Sequence, residues 1–485
     1  MTKRIIYWFR NDLRLYDNEG FWQATQQADE VIPVFVFDPR AFENGYLGFR
    51  RIGARRARFM VESVQQLREN IRAKGGELLV RIGEPEKIVA DLAQAYDATA
   101  VYTSKEIAQE ETDVESSLSK RLKMINVDIK LVWMATLYHP RDLPFSFAKL
   151  PQVFTDFRKI VEASAQVRPC LPTPDAIRLP ANYEAGPLPT LTDLCYEENE
   201  LPDPEGTPAG VLRFEGGEQA GQARLQQYFW ERDQLRHYKE TRNDLLGADY
   251  SSKLSAWLSL GCISPRYIYE EVKRYEKERV ANDSTYWLVF ELLWRDYFHF
   301  VMLRYGTRLF KPSGIRHNMD LRWENDRVLF DQWASGQTGV PFVDANMREL
   351  NATGYLSNRG RQNVASFLAK DLRLNWTWGA AYFESQLIDY DVCSNWGNWN
   401  YLAGVGNDPR ANRYFNMYIQ ATRYDEQGTY VKYWLPQLAQ VPAERVHRVW
   451  QLSTSEQQAY GLRLGTDYPL PIINTNSWLE EPADR

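Results

Sequence analysis

A chain of 485 residues has room for two domains, or three. Its 44% hydrophobic and 25% charged content is that of an ordinary globular protein, and no run nears the roughly 18 apolar residues of a membrane span. A net charge of −6 argues against indiscriminate binding of nucleic acid through a basic surface, while leaving room for one local basic groove.

The opening MTKRIIYWFRNDLR lacks the long apolar region and small-residue cleavage site of a signal peptide, so a cytoplasmic protein is expected. IIYWF (5–9), VIPVFVFD (31–38), ELLVRIG (77–83), TAVYTS (99–104) and IKLVW (129–133) read as strands. Between them GFWQATQQAD, ARFMVESVQQLRENIRAKG, EPEKIVADLAQAYD and ETDVESSLSKRLKMI have helical spacing, and Lys74-Gly75-Gly76 closes the second. Such alternation predicts a doubly wound parallel sheet over residues 1–135, with ligands at the carboxyl ends of its strands. No G-x-G-x-x-G follows any strand, so the usual dinucleotide fingerprint is missing. The densest basic run, FRRIGARRARF (Arg50, Arg51, Arg55, Arg56, Arg58), reads as the solvated first half of a helix.

Nine prolines from Pro169 to Pro208 resist helix and central strand alike. Residues 136–211 therefore read as an ordered connector to a helical domain, 212–485. There, YWLVFELLWRDYFHFVMLRY (286–305) is apolar nearly all round, as a helix buried in a large core must be. Glu291 in its middle is either neutralised by Arg295, four residues on, or in contact with a ligand. In SNRGRQNVASFLAKDL (357–372), Asn358, Arg361, Gln362 and Ala365 share one helix face and Val364, Phe367 and Leu368 the other. That polar face is a solvated surface or a recognition wall.

Residues 387–404, LIDYDVCSNWGNWNYLAG, interleave Asp389 and Asp391 with Trp396, Trp399 and three asparagines, Asn395, Asn398 and Asn400. Tryptophans need packing partners, and buried acids and amides need hydrogen bonds. The turn-like stretch reads as a pocket wall, with an aromatic-rich helix-capping loop as the alternative. Four scattered cysteines without a C-x-x-C pair and only five histidines point to neither a disulfide framework nor a metal site.

These motifs resemble the photolyase–cryptochrome family. YSSKLSAWLSLGCISPR (250–266), ELLWRDYFHF (291–300), GVPFVDANMRELNATGYLSNRGRQNVASFL (339–368) and the 387–404 stretch carry the similarity, which runs from WFRNDLRLYDN to YVKYWLPQLA (430–439). WMATLYHPRDLPF (133–145), VFTDFRKIVE (153–162), Gln362 and Tyr401 place it with the DASH cryptochromes. The resemblance implies a photolyase-like α/β domain and a helical domain that holds FAD in a folded conformation. Tyr238 and the run Ser251, Ser252, Lys253, Leu254, Ser255 match the grip on the FAD phosphates, where hydroxyls, amides and a cation suit a pyrophosphate. Lys253 stands where many relatives have Arg. Asp389 and Asp391 match the acidic pair near flavin and ribose, with Arg361 as the partner of Asp389. Glu291, Arg295 and Asn358 join the implied cofactor set, and Asn395 matches the residue facing flavin N5. Plant signalling relatives tend to carry Asp at that position; Asn cannot titrate and is the choice of repair enzymes.

Trp399, Trp376 and Trp323 match the tryptophan chain that delivers electrons to the flavin. Glu291, Trp294, Asn358, Gln362 and Tyr401 match a cavity for a flipped pyrimidine dimer, with Arg242 and Arg359 at DNA phosphates. A lesion must leave the stack to reach a buried flavin, and single-stranded DNA releases it most cheaply. Gln362 and Tyr401 replace the Met and Trp of many relatives, a more polar pocket that fits restriction to single-stranded or looped DNA. Asn358 and Gln362 occupy the places of the histidine pair that (6-4) repair needs. Glu106 is the implied contact for an antenna, 5,10-methenyltetrahydrofolate. The expected function is thus light-driven, FAD-dependent repair of cyclobutane pyrimidine dimers by a monomeric deoxyribodipyrimidine photolyase. The alternative is a blue-light photoreceptor built on the same FAD and tryptophans, for which INTNSWLEEPADR is a short tail.

Overall fold

The computed structural model describes residues 2–45, 47–200, 208, 211–410 and 413–478. Most of the connector segment LPDPEGTP and the last seven residues of the tail lie outside these. The remainder of the proline-rich crossing is an ordered path over the α/β layer, where Val80 donates to the carbonyl of Ala185 and Ile177 to that of Lys74.

Five strands, β1 (Arg4–Phe9), β2 (Glu30–Phe37), β3 (Leu79–Ile82), β4 (Ala100–Ser104) and β5 (Asp128–Val132), form one parallel sheet of order β3-β2-β1-β4-β5. Helices α1 (Glu19–Gln27), α2 (Ala54–Arg72), α3 (Pro85–Ala95) and α4 (Gln109–Met124) supply the crossovers. Each element overlaps the segment expected for it. The central strand β1 is buried on both faces, which is why IIYWF is continuously apolar rather than alternating. Past the end of α2, Gly75 takes φ +81° and the Gly76 amide reaches back to Ile71 O at 3.1 Å, a closure that favours glycine at the left-handed position. Strand order reverses between β1 and β4, so the crevice above their carboxyl ends is the place for a ligand.

The arginine run does not form a solvated face. Arg56 is only 5% exposed and lies 4.6 Å over the Tyr390 ring; Arg50 pairs with Glu200 at 2.6 Å, and Arg51 with Glu110 and Glu384. The start of α2 faces the helical part of the molecule, and long-range carboxylates neutralise charges that looked free in the sequence.

Helix α5 (Phe154–Ser164) arises within the connector and packs on the long helix Asp283–Tyr305. Buried Asp296 of that helix accepts from the amides of Leu137 and Tyr138, both at 2.9 Å, tying the connector down. Burial raises its carboxyl to about 6 against those two bonds. Asn282 starts the helix with a capping box. Among the described residues no helix is long and apolar enough to cross a membrane.

The 387–404 stretch is a helix, Val392–Ala403, and not turn-like backbone. Asp391 caps its first turn through Ser394 N at 2.7 Å, and Gly404 ends it at φ +83°. The Asn358–Ser366 helix runs into a π-turn, Phe367–Asp371. There burial lifts Asp371 to about 7, against the hydrogen bond from Tyr414 at 2.8 Å and a weaker pull from Trp478. A carboxyl whose pKa rises on folding loses stability as pH climbs from its unfolded value to its folded one. Asp371→Asn is therefore expected to stabilise the protein at pH 8 by about 1–2 kcal/mol and to give no advantage near pH 4, as read from unfolding across a pH series.

Candidate cofactor and nucleic-acid site

Asp389 sits just before the Val392–Ala403 helix with its side chain 2% exposed. Arg361 donates one nitrogen to both its oxygens (3.0 and 2.8 Å) and another to Leu356 O, while Ser255 Oγ donates to Asp389 Oδ2 at 2.7 Å. Asp391 points elsewhere, to His299 Nε2 at 3.3 Å. Burial opposes its charge, but His299, Arg295 and the Ser394 hydrogen bond together outweigh burial and hold Asp391 well below the usual carboxylate range. With Cys393, Asp391 and His299 gather ligand-type atoms within 4.8 Å of one another, a grouping that sequence spacing could not reveal.

Asn395, 8% exposed, donates its amide nitrogen to Ala380 O at 3.0 Å. A carbonyl only accepts, so this bond settles the orientation of the amide. Among the described residues nothing donates to Asn395 Oδ1, which presents a fixed acceptor.

The loop 248–252 is shaped by a residue that sequence reading missed. Buried Arg224 spends its donors on the carbonyls of Ala248, Ser251 and Ser252 and on Asp249. Its only signal in the sequence was an arginine in an otherwise unremarkable helix. Leu254 anchors the loop in the core, followed by the short helix Ser255–Ser259; Tyr238 is likewise buried. Lys253, in left-handed backbone (φ +55°), sends its ammonium to Gly247 O at 3.0 Å and over the Tyr250 ring at 4.2 Å.

Glu291 and Arg295 do not pair. Glu291 meets Arg242 at 2.8 Å, whereas Arg295 reaches across to Ala135 O and lies near Asp391. The i, i+4 spacing made the first pair possible, but the two side chains diverge around the helix toward different partners. Glu291 lies deep in the protein yet keeps 27% of its side-chain surface, as a cavity-lining group does. Burial raises its carboxyl, and Arg242 works against that rise.

Around it, Trp294 makes edge contact with Tyr401 at 5.8 Å, and Arg413, held by Asp408, donates to Tyr401 Oη at 3.1 Å. Phe154 of α5 stacks on Trp294 at 3.7 Å, so the connector supplies part of this wall. Asn358 is exposed, its amide 3.5 Å from Asn243 Oδ1; Gln362 and Arg359 are half-buried.

Trp399 and Trp376 are 2% and 0% exposed, and Trp323 is nearer the surface. Trp376 and Trp323 both donate to Pro312 O, at 3.0 and 3.1 Å, which holds their indoles side by side. Trp399 packs on Phe383 at 5.2 Å; Trp396, one turn earlier, touches Trp376 at 5.9 Å.

A cavity of about 1080 Å³ opens at the strand-order reversal and reaches Asp391, Arg295 and His299. The carboxyl ends of β1, β2 and β4 line it on one side, and Arg295, Tyr390 and Trp396 on the other. Glu106 lines it too, bonded by Ser104 Oγ at 3.0 Å. Burial, then repulsion from Glu106, lifts neighbouring Glu111 to about 7.

Residues 5–176 match the family model for DNA photolyase, and 287–484 that for the FAD binding domain of DNA photolyase. Fold and sequence together define an FAD-binding flavoprotein of the photolyase type. Cryptochrome DASH of Synechocystis sp. is 50% identical over 483 residues, 98% of this chain and 96% of that protein. That of Xenopus laevis is 48% identical over 481 residues, 98% and 91%. The solved Synechocystis cryptochrome covers 99% of this chain and 98% of its own at TM-score 0.94 and 49% identity. A class III photolyase from Agrobacterium tumefaciens covers 99% and 96% at TM-score 0.86 and 26% identity. The chain belongs to the DASH cryptochromes of the photolyase–cryptochrome family.

Proposed function

We propose that this protein repairs cyclobutane pyrimidine dimers in single-stranded or looped DNA under blue light. The observation that carries the reading is Asn395, a non-titrating amide fixed by Ala380 so that its carbonyl accepts. An acceptor that never supplies a proton suits a flavin kept reduced, whose N5 bears a hydrogen.

The donor set fits FAD. Ser251 and Ser252, on a loop fastened by Arg224, and Ser255, at the start of the helix that follows, would hold the phosphates beside Tyr238 and Leu254. Lys253 would add positive potential from behind the loop rather than a direct grip. Arg361 and Asp389 would hold the flavin and ribose end, with Asp391 and Arg295 nearby. Held there in its reduced form, FAD would supply the light-driven electron-transfer chemistry that dimer splitting requires.

The chain does the rest. Glu291, set by Arg242, would accept hydrogen bonds from a pyrimidine edge, and Gln362 and Asn358 would add polar contacts. Trp294 and Tyr401 would pack on the bases, Tyr401 held by Arg413. Trp399, Trp376 and Trp323 would carry electrons inward from the surface. The 1080 Å³ cavity with Glu106 would take 5,10-methenyltetrahydrofolate as antenna. This division of labour follows the proposed domains 1–135, 136–211 and 212–485.

The deciding experiment is photorepair of one thymine dimer in a single-stranded oligonucleotide, with the matched duplex alongside. Repair of the single strand, with at least tenfold less on the duplex (about 1.4 kcal/mol or more), is the expected result. Normal flavin photoreduction without repair of either substrate would overturn it in favour of a photoreceptor.

A further inference from the structure

Arg359, beside the proposed lesion cavity, lies within electrostatic reach of three other guanidinium groups from distant parts of the chain, Arg242, Arg413 and Arg423. Two are neutralised. Arg242 has Glu291 and Arg413 has Asp408. Arg359 and Arg423 have no carboxylate partner among the described residues. Both instead lie against one aromatic ring, that of Tyr424, at 4.6 and 5.5 Å, and Arg359 also approaches Phe415 at 6.0 Å. Arg359 Nε is buried without a hydrogen-bond partner.

Two cations on one ring gain from its quadrupole, but they repel each other and leave donors unused. A chain with net charge −6 has carboxylates to spare, yet among the described residues none pairs with Arg359 or Arg423. An anion from outside would complete the arrangement. Guanidinium forks match phosphate oxygens in pairs, and a half-buried tyrosine between them is a rigid spacer with a face for a base.

We infer that Arg359, Tyr424 and Arg423 form a phosphate clamp that holds the backbone of the DNA strand beyond the flipped dimer, with Arg423 and Tyr424 as substrate-positioning residues. The inference rests on the nucleic-acid reading above. It extends the contact surface from the Asn358–Ser366 helix to the Met417–Tyr424 helix, and it favours a flexible strand that can bend from one to the other.

The test is fluorescence anisotropy of a labelled single-stranded oligonucleotide carrying one thymine dimer, across a salt series. Arg423→Ala is expected to weaken binding about tenfold at low salt and to flatten the log K against log salt slope by about 0.7, one phosphate contact on a single strand. Arg423→Lys should keep the slope while losing part of the affinity. Tyr424→Phe should bind as wild type, since the ring is kept, whereas Tyr424→Ala should weaken binding without altering the slope. A thermal unfolding scan checks that each variant is folded. An Arg423→Ala protein with wild-type slope and affinity would overturn the clamp alone. If the wild type failed to bind the oligonucleotide at any salt, the nucleic-acid reading would fall and the clamp with it.

Discussion

Replacing Trp399 with phenylalanine is expected to slow photoreduction of bound FAD by roughly 100-fold, a barrier change of about 2.7 kcal/mol. Phenylalanine fills most of the same apolar space between Trp333 and Phe383, so the fold should lose only about 1–2 kcal/mol and flavin content should hold. What disappears is a ring that can be oxidised transiently. Gly379→Ala offers a graded companion. A Cβ there would lie 2.2 Å from the Trp399 indole, so the ring must move. Alanine is otherwise the better helix residue by about 1 kcal/mol, and any loss therefore reports the displaced indole rather than a weaker helix. Transient absorption under blue light reads both variants. Wild-type photoreduction in Trp399→Phe would remove Trp399 from the electron path.

Asp389→Ala is expected to strip FAD from the protein. Removing one member of a buried pair leaves the other uncompensated, at a cost of about 3–5 kcal/mol, and if that cost falls on FAD binding it corresponds to a loss of affinity on the order of 10²–10⁴. Arg361→Ala should behave alike, and Arg361→Lys should fall between, since lysine keeps charge but cannot serve Asp389 and Leu356 O together. The double variant should cost less than the sum, because the two residues form one unit. Flavin absorbance per protein after gel filtration, then titration with FAD in the dark, reads the loss without any photochemistry. Full flavin content in Asp389→Ala would show that the pair is structural only.

The two basic patterns show why some of the site was legible and some was not. FRRIGARRARF stood out because its arginines are adjacent in the chain, yet carboxylates more than fifty residues away neutralise Arg50 and Arg51 at the seam between the two parts of the molecule. The unneutralised cluster joins Arg359 and Arg423, which no window of sequence brings together. Glu291 is similar. Its burial followed from the apolar helix around it, but its partner came from residue 242 instead of one turn away.

Sequence by itself determined the five parallel strands, the helices between them and the long buried helix, because period and capping are local and each element reports its own face. It also carried the family, through blocks long enough to be specific. Tertiary structure alone decided that 392–403 is a helix capped by Asp391, that Arg224 fastens the serine loop, and that the large cavity lies between β1, β4 and Tyr390. Those outcomes depend on which desolvated donors and acceptors meet. Partners far apart in sequence are chosen by packing and electrostatics in three dimensions, and local spacing carries no record of that choice.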